Sequence, residues 1–286
     1  MTEPTAPNGL PGPTPPTGDV TYVYGVAAPH GALHDVVESL RGVAGAPVRP
    51  VADEAGGLVV LVSDVPAADF EAAPLAAHFE DLLWLEAVAR AHHGVIDAVA
   101  ARGTVLPLRL ATIYRDDDRV REMITADRAA FTRRLAHLDG SVEWGVKVYL
   151  AAAPPPAAAE PAPEPGLSPG RAYLRGRHQE RNARQDSFRE AADSARRVEA
   201  AAGAHAVEHV RHRPQQGPLA EGAGENITND AYLVPRDRTD DFRRAVERVA
   251  QESTAIRVEI TGPWAPYSFA APGPDESGAR DRAVTT

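Results

Sequence analysis

The sequence predicts an α+β chain made of two ferredoxin-like units (βαββαβ), with an extra charged helix between them and disordered ends. Three observations predict it. Short β-branched segments with period-two alternation recur along the chain. Between them lie segments whose apolar residues return every three or four positions, as on one face of a helix. The two kinds follow one another as β-α-β-β-α-β, and that order is read twice. Such an order builds an antiparallel sheet with two helices on one face.

In the first half, Val20 to Ala27 alternates Val20, Tyr22, Tyr24 and Val26, and reads as a strand. Gly31 to Leu40 sets Leu33, Val36, Val37 and Leu40 at helical spacing. Pro47 to Ala52 and Leu58 to Ser63 flank Asp53-Glu54-Ala55-Gly56-Gly57, a hairpin loop with glycines free to take positive φ. Phe79 to Arg102 is the clearest helix, with Leu82, Leu85, Ala89, His92, Ile96 and Val99 on one stripe and Gly103 after its end. His92 on that stripe reads as a core histidine. Thr104 to Tyr114 reads as extended, and Pro107 marks an edge position or a bulge. A charged helix from Asp116 to about His137 follows. Its three leading aspartates suit the positive end of the helix dipole better than they suit a cation.

The second half repeats the order. Val142 to Leu150 is a strand, Tyr173 to Ala202 a long helix, and Ala204 to Arg211 and Asp230 to Pro235 two more strands. Asp240 to Glu252 is a helix with Phe242, Val246 and Val249 on its apolar face, and Ala255 to Thr261 closes the sheet. The domains are expected at 19–138 and 139–270. Residues 1–18 form a proline-rich disordered leader, 151–166 an Ala/Pro linker inside the second domain, and 271–286 a disordered tail.

Composition removes several function classes. A formal charge of −10 argues against a nucleic-acid partner, which needs a basic face. With no cysteine there are no disulfides, thiolate nucleophiles or cysteine–zinc sites, in keeping with a reducing cytoplasm. No apolar run approaches the roughly 20 residues of a membrane span, and no secretory signal is visible. Lys147 is the only lysine among 30 basic side chains, which points to coding bias more than to an arginine-specific role.

Three features invite a chemical reading. His205-Ala206-Val207-Glu208-His209 matches an inverted zincin pattern, and a metal- or ligand-binding protein using His205, Glu208 and His209 is the alternative function. That chemistry requires a helix. Gly203 and Pro214 argue against one, and on a strand the two histidines would stand roughly 13 Å apart. The helix from Arg171 to Arg197 holds eight arginines interleaved with acids. It reads as a solvated, salt-bridged surface with pairs such as Glu180–Arg184 and Asp193–Arg197, or as a site for an acidic protein. Last, Trp264, Tyr267 and Phe269 fall within six residues after Gly262-Pro263, in a chain with 6% aromatics. They pack back on the second sheet or grip a partner. No phosphate-binding glycine loop occurs.

Six segments together resemble the gas vesicle protein F and L family. They are Tyr22-Val23-Tyr24-Gly25-Val26, Val105-Leu106-Pro107-Leu108-Arg109, Glu143-Trp144-Gly145-Val146-Lys147, Gly170-Arg171-Ala172-Tyr173-Leu174, Asn229-Asp230-Ala231-Tyr232-Leu233-Val234, and Thr261-Gly262-Pro263-Trp264-Ala265-Pro266-Tyr267-Ser268-Phe269. The resemblance covers about Thr21 to Phe269. It departs at Leu110 and Ala111, where the family usually has an aromatic and a glycine, at Ala265, often a second proline, and in the long 151–166 tract. It implies two ferredoxin-like domains and a non-catalytic accessory role with no cofactor or metal. Its partners would be the small hydrophobic shell protein and other accessory proteins, in the cytoplasm and on the gas vesicle, with retention there as a minor component. Trp264, Tyr267 and Phe269 would be the anchors.

Overall fold

A computed structural model describes residues 18–151, 169–214 and 225–270. The expected leader before Gly18, the Ala/Pro tract after Ala151 and the tail lie outside the described residues. The chain divides between His137 and Leu138 into two compact units.

The first unit runs β1 (Asp19–Ala27), α1 (Gly31–Ser39), β2 (Arg49–Ala52), β3 (Val59–Pro66), α2 (Ala67–Phe70), α3 (Ala72–His78), α4 (Leu82–Ala100) and β4 (Val105–Tyr114). The antiparallel sheet has the order β2-β3-β1-β4, as a ferredoxin-like unit requires. β1 is buried along nearly its whole length because both faces of this central strand are covered. On one face Tyr22 shares a 3.0 Å hydrogen bond with Nδ1 of His92 on α4. On the other, Thr21 bonds Asp117 on the helix that follows β4. That charged segment is two helices, α5 (Asp117–Ala126) and α6 (Arg128–Leu138), interrupted at Asp127. All three leading aspartates have structural partners. Asp116 caps α5 by accepting from Arg119 N–H, Asp117 binds Arg49, and Asp118 binds Arg121.

β4 is an edge strand, and it also bulges. Val23 of β1 faces Thr112 while Gly25 faces Pro107, so 108–111 loop out of the ladder. Ala111 closes the loop at φ 58, in the left-handed region, and its N–H donates to Tyr22 Oη at 3.1 Å. Glycine adopts this conformation without the Cβ clash. Ala111→Gly is therefore expected to leave stability unchanged or raise it by up to about 1 kcal/mol in urea unfolding, the strain relieved offsetting the added chain entropy.

His92 is 2% exposed, and its pKa is lowered to about 4, chiefly by burial and secondarily by His93. Below pH 6.5 the unfolded chain binds a proton that the folded chain refuses until about pH 4. Stability is therefore full above pH 6.5 and falls toward pH 4, by no more than roughly 3 kcal/mol from this group. Urea melts of the wild type and His92→Gln, taken at pH 7 and 4.5, check this. The variant should lose much less between the two.

The second unit runs β5 (Ser141–Leu150), α7 (Pro169–Gly203), β6 (Glu208–His212), β7 (Asn226–Pro235), α8 (Thr239–Gln251) and β8 (Ile256–Trp264), with sheet order β6-β7-β5-β8. Val142, Trp144, Val146 and Val148 alternate along β5 onto Ala191, Ala195, Val198 and Ala202 of α7 and Phe242 and Val246 of α8. Three strand boundaries move. β6 starts at Glu208 because Ala204 and His205 still close the end of α7 through N–H bonds to Ala200 and Ala202. β7 reaches back to Asn226, through a polar stretch whose pairing with β5 hydropathy could not reveal. β8 continues through Gly262-Pro263 instead of stopping there. Gly145 faces Thr261 and Glu143 faces Trp264, which makes the Gly-Pro pair a bulge within the edge strand, with a cis peptide bond.

Candidate functional site

The aromatic trio separates by burial. Trp264 is 45% exposed, Tyr267 is half-buried, and Phe269 is fully buried. What fixes this segment is a polar contact that sequence reasoning missed. The Ser268 N–H and Oγ donate to the two carboxylate oxygens of Glu143 at 2.8 and 2.6 Å, and His212 Nε2 lies 3.0 Å from Ser268 Oγ. Glu143 alternates with Val142 and Trp144, so it points away from the helices. His212 likewise alternates with His209 and Arg211 on β6. The segment after β8 thus crosses the sheet face opposite the helices, from one edge strand to the other. Burial raises the Glu143 pKa, opposed by the Ser268 bonds.

Serine, histidine and a carboxylate meet here, but not in the roles a hydrolase needs. Ser268 Oγ gives its proton to Glu143, so the His212 nitrogen beside it must donate and cannot act as the base. The arrangement is a clamp. Its only advance signal was the glutamate at an outward position of a central strand.

The His205/Glu208/His209 reading fails on geometry. His209 Nε2 bonds Asp230 at 3.0 Å, and its ring stacks on Tyr232, 4.7 Å between centroids. Arg211 joins Asp230 to Glu199 of α7. Glu208 points to the opposite face of β6 from His209. His205, in the turn before β6, lies toward Asp241, whose carboxyl is held below its ordinary range first by Arg244 and in smaller part by His205. Among the described residues, no group of three or more His, Asp or Glu side chains could hold a metal ion.

One ion-pair expectation changes as well. Asp193 bonds Arg196, one position earlier than expected, and Arg197 reaches Glu252 just past the end of α8. The Glu180 side chain lies outside the described residues.

Among the described residues, the most exposed large apolar side chains sit on the first unit. Leu82 is 77% and Leu83 80% exposed, and Phe79 just before them is 46% exposed. Asp81 caps α4 by accepting from the N–H groups of Leu83 and Trp84, which fixes where the helix starts. Trp84 turns inward and stacks on His78, with Phe70 beside it. The expected stripe began at Leu82. The observed one begins at Val88 and continues through His92, Val95, Ile96 and Val99. Four successive apolar residues, Leu82 to Leu85, cannot share one helical face, and that was the available signal. No described helix is long and apolar enough to cross a membrane.

Comparison with known proteins adds three findings. The family model described as "Gas vesicle synthesis protein GvpL/GvpF" matches residues 20–271. Gas vesicle protein L of Streptomyces sp. (strain CB03234) is 42% identical over 89% of this chain and 94% of its own length. Gas vesicle protein F of the same strain is 32% identical over 87% and 98%. The crystal structure of GvpF from Anabaena sp. PCC7120 superposes with a TM-score of 0.60 at 18% identity, over 89% of this chain and 97% of that one. It attests the fold.

Proposed function

This chain belongs to the gas vesicle synthesis protein GvpL/GvpF family, and from that premise we propose that it is a non-catalytic accessory factor in gas vesicle assembly. In this reading it binds the small hydrophobic shell protein and other accessory proteins in the cytoplasm, brings shell subunits to the growing vesicle, and stays as a minor component. Its greater identity to the L than to the F relative of one strain favours an L-type role.

The observation that supports this best is the exposure of Leu82 and Leu83 at the capped start of a rigid helix. Covering such a side chain is worth about 1.5–3 kcal/mol, and neither leucine obtains that inside the fold. Phe79 extends the same apolar stretch, and Trp264 offers a second anchor on the other unit. The net charge of −10 keeps the factor soluble while it handles an apolar partner.

Leu82→Ser with Leu83→Ser should weaken retention of tagged shell subunit at least about tenfold in a pull-down. Unfolding should shift by no more than about 1 kcal/mol, because both side chains already face solvent. A wild-type chain that retains no more shell subunit than an unrelated acidic protein does would end this reading.

A further inference from the structure

We propose that the N-terminal part of α7 is a second, electrostatic docking surface, and that it binds an acidic helical segment of a partner polypeptide. This surface is independent of the apolar anchors above. Among the described residues of α7 the buried ones are Ala191, Ser194, Ala195, Val198 and Ala202, all from Ala191 onward. From Arg175 to Glu190 no described side chain is buried. That stretch, roughly 24 Å of helix at 1.5 Å per residue, leaves the packed body of the second unit.

The face it presents is set by helical register. Ala191, Ala195, Val198 and Ala202 form the stripe on the sheet. Stepping back from Ala191 by three and four residues reaches Phe188, Arg184, Arg181 and Arg177. The face that is apolar over the sheet therefore becomes a row of three arginines beyond it, with one aromatic at its root. The Arg184 guanidinium lies over the Phe188 ring, 5.9 Å from its centroid, which orders that arginine.

Farther along α7 three arginines are matched within the chain. Arg189 pairs with Asp186, Arg196 with Asp193, and Arg197 with Glu252. None of Arg177, Arg181 and Arg184 has a carboxylate partner among the described residues. Glu180 is the one acid that the sequence places on the same side. The row thus keeps an excess of positive charge and planar donors suited to carboxylates. Its steps of four and three residues match carboxylates at the same steps on a second helix. A nucleic acid fits less well, because the chain as a whole carries −10 and repels a dense polyanion.

The full-length protein can be titrated, at low salt, into a fluorescein-labelled alanine-rich helical peptide with Glu at alternating three- and four-residue steps. The controls are the same peptide with Gln and a single-stranded oligonucleotide of equal length. The Glu peptide should bind about tenfold tighter than the Gln peptide and weaken as salt rises. Arg177→Gln, Arg181→Gln and Arg184→Gln together should remove about tenfold of that affinity. Arg175→Gln, Arg189→Gln and Arg196→Gln remove the same charge from outside the row and should cost no more than about threefold. Circular dichroism reports whether either variant keeps its helix. Equal losses in the two folded variants, equal binding of the Glu and Gln peptides, or tighter binding of the oligonucleotide would each overturn the proposal.

Discussion

Gly262→Ala is expected to destabilise the second unit by roughly 4 kcal/mol, to judge from backbone strain and overpacking costs together. Gly262 takes φ 129, a conformation close to forbidden for residues with a side chain. A Cβ there would also stand 2.8 Å from the Glu143 carbonyl oxygen and 3.2 Å from the Trp144 ring. Neither neighbour can yield cheaply. Glu143 lies on central strand β5, and Trp144 is buried against Phe242 with its ring near Arg243. The bulge that starts at Gly262 also decides where Trp264 and the clamp behind it begin. The substitution should therefore broaden the near-ultraviolet signal of the aromatics while the far-ultraviolet spectrum of the first unit survives. Denaturant unfolding would show an early transition from the second unit. A Gly262→Ala protein that melts with the wild type would remove the steric reason for this glycine.

That glycine illustrates what the sequence could and could not disclose. Strand order and sheet layout were legible because they follow from alternation and helical stripes, which hydropathy reports directly. Val142, Trp144, Val146 and Val148 announced β5, and Phe242 and Val246 announced the inner face of α8. Where pairing partners decide the outcome, local pattern was silent. Asn226 to Asn229 joins β7 because β5 runs beside it, and its two asparagines mask the strand preference of Ile227 and Thr228. The left-handed Ala111 was hidden in the local pattern for a related reason, and the glycine usual there in the family was the one hint. Its conformation is imposed by the bulge of β4 and by the bond to Tyr22, neither of which alanine advertises.

The candidate surface was less legible than the fold. The three C-terminal aromatics were conspicuous, but which of them faces solvent depends on Ser268 finding Glu143, 125 residues away. No spacing rule reaches that far. Leu82 was read as core because it continues a stripe. A stripe fixes only the direction of a side chain, and at the first turn of α4 nothing in the first unit covers that direction enough to bury it.

Phe269→Ala is expected to cost about 4 kcal/mol of folding stability, within the range for removing a fully buried phenylalanine. Trp264→Ala should cost no more than about 1 kcal/mol, since the ring is 45% exposed. The opposite ranking should hold for partner retention. A large aromatic that is half in solvent can be covered by a second polypeptide, whereas a side chain with no exposed surface can be reached only after the clamp opens. Glu143→Gln separates the two roles further. It keeps the size of the side chain, but only one of its terminal atoms can accept, so the charge-assisted pair of bonds from Ser268 becomes a weaker neutral one in which the hydroxyl must turn its proton away. The variant should loosen residues 264–270 and raise their amide exchange without unfolding the sheet. If Phe269→Ala folds as stably as the wild type and yet loses the shell subunit, the trio acts as a single exposed patch, and the clamp holds nothing in place. If Trp264→Ala alone loses the subunit, the clamp presents one anchor and buries the other.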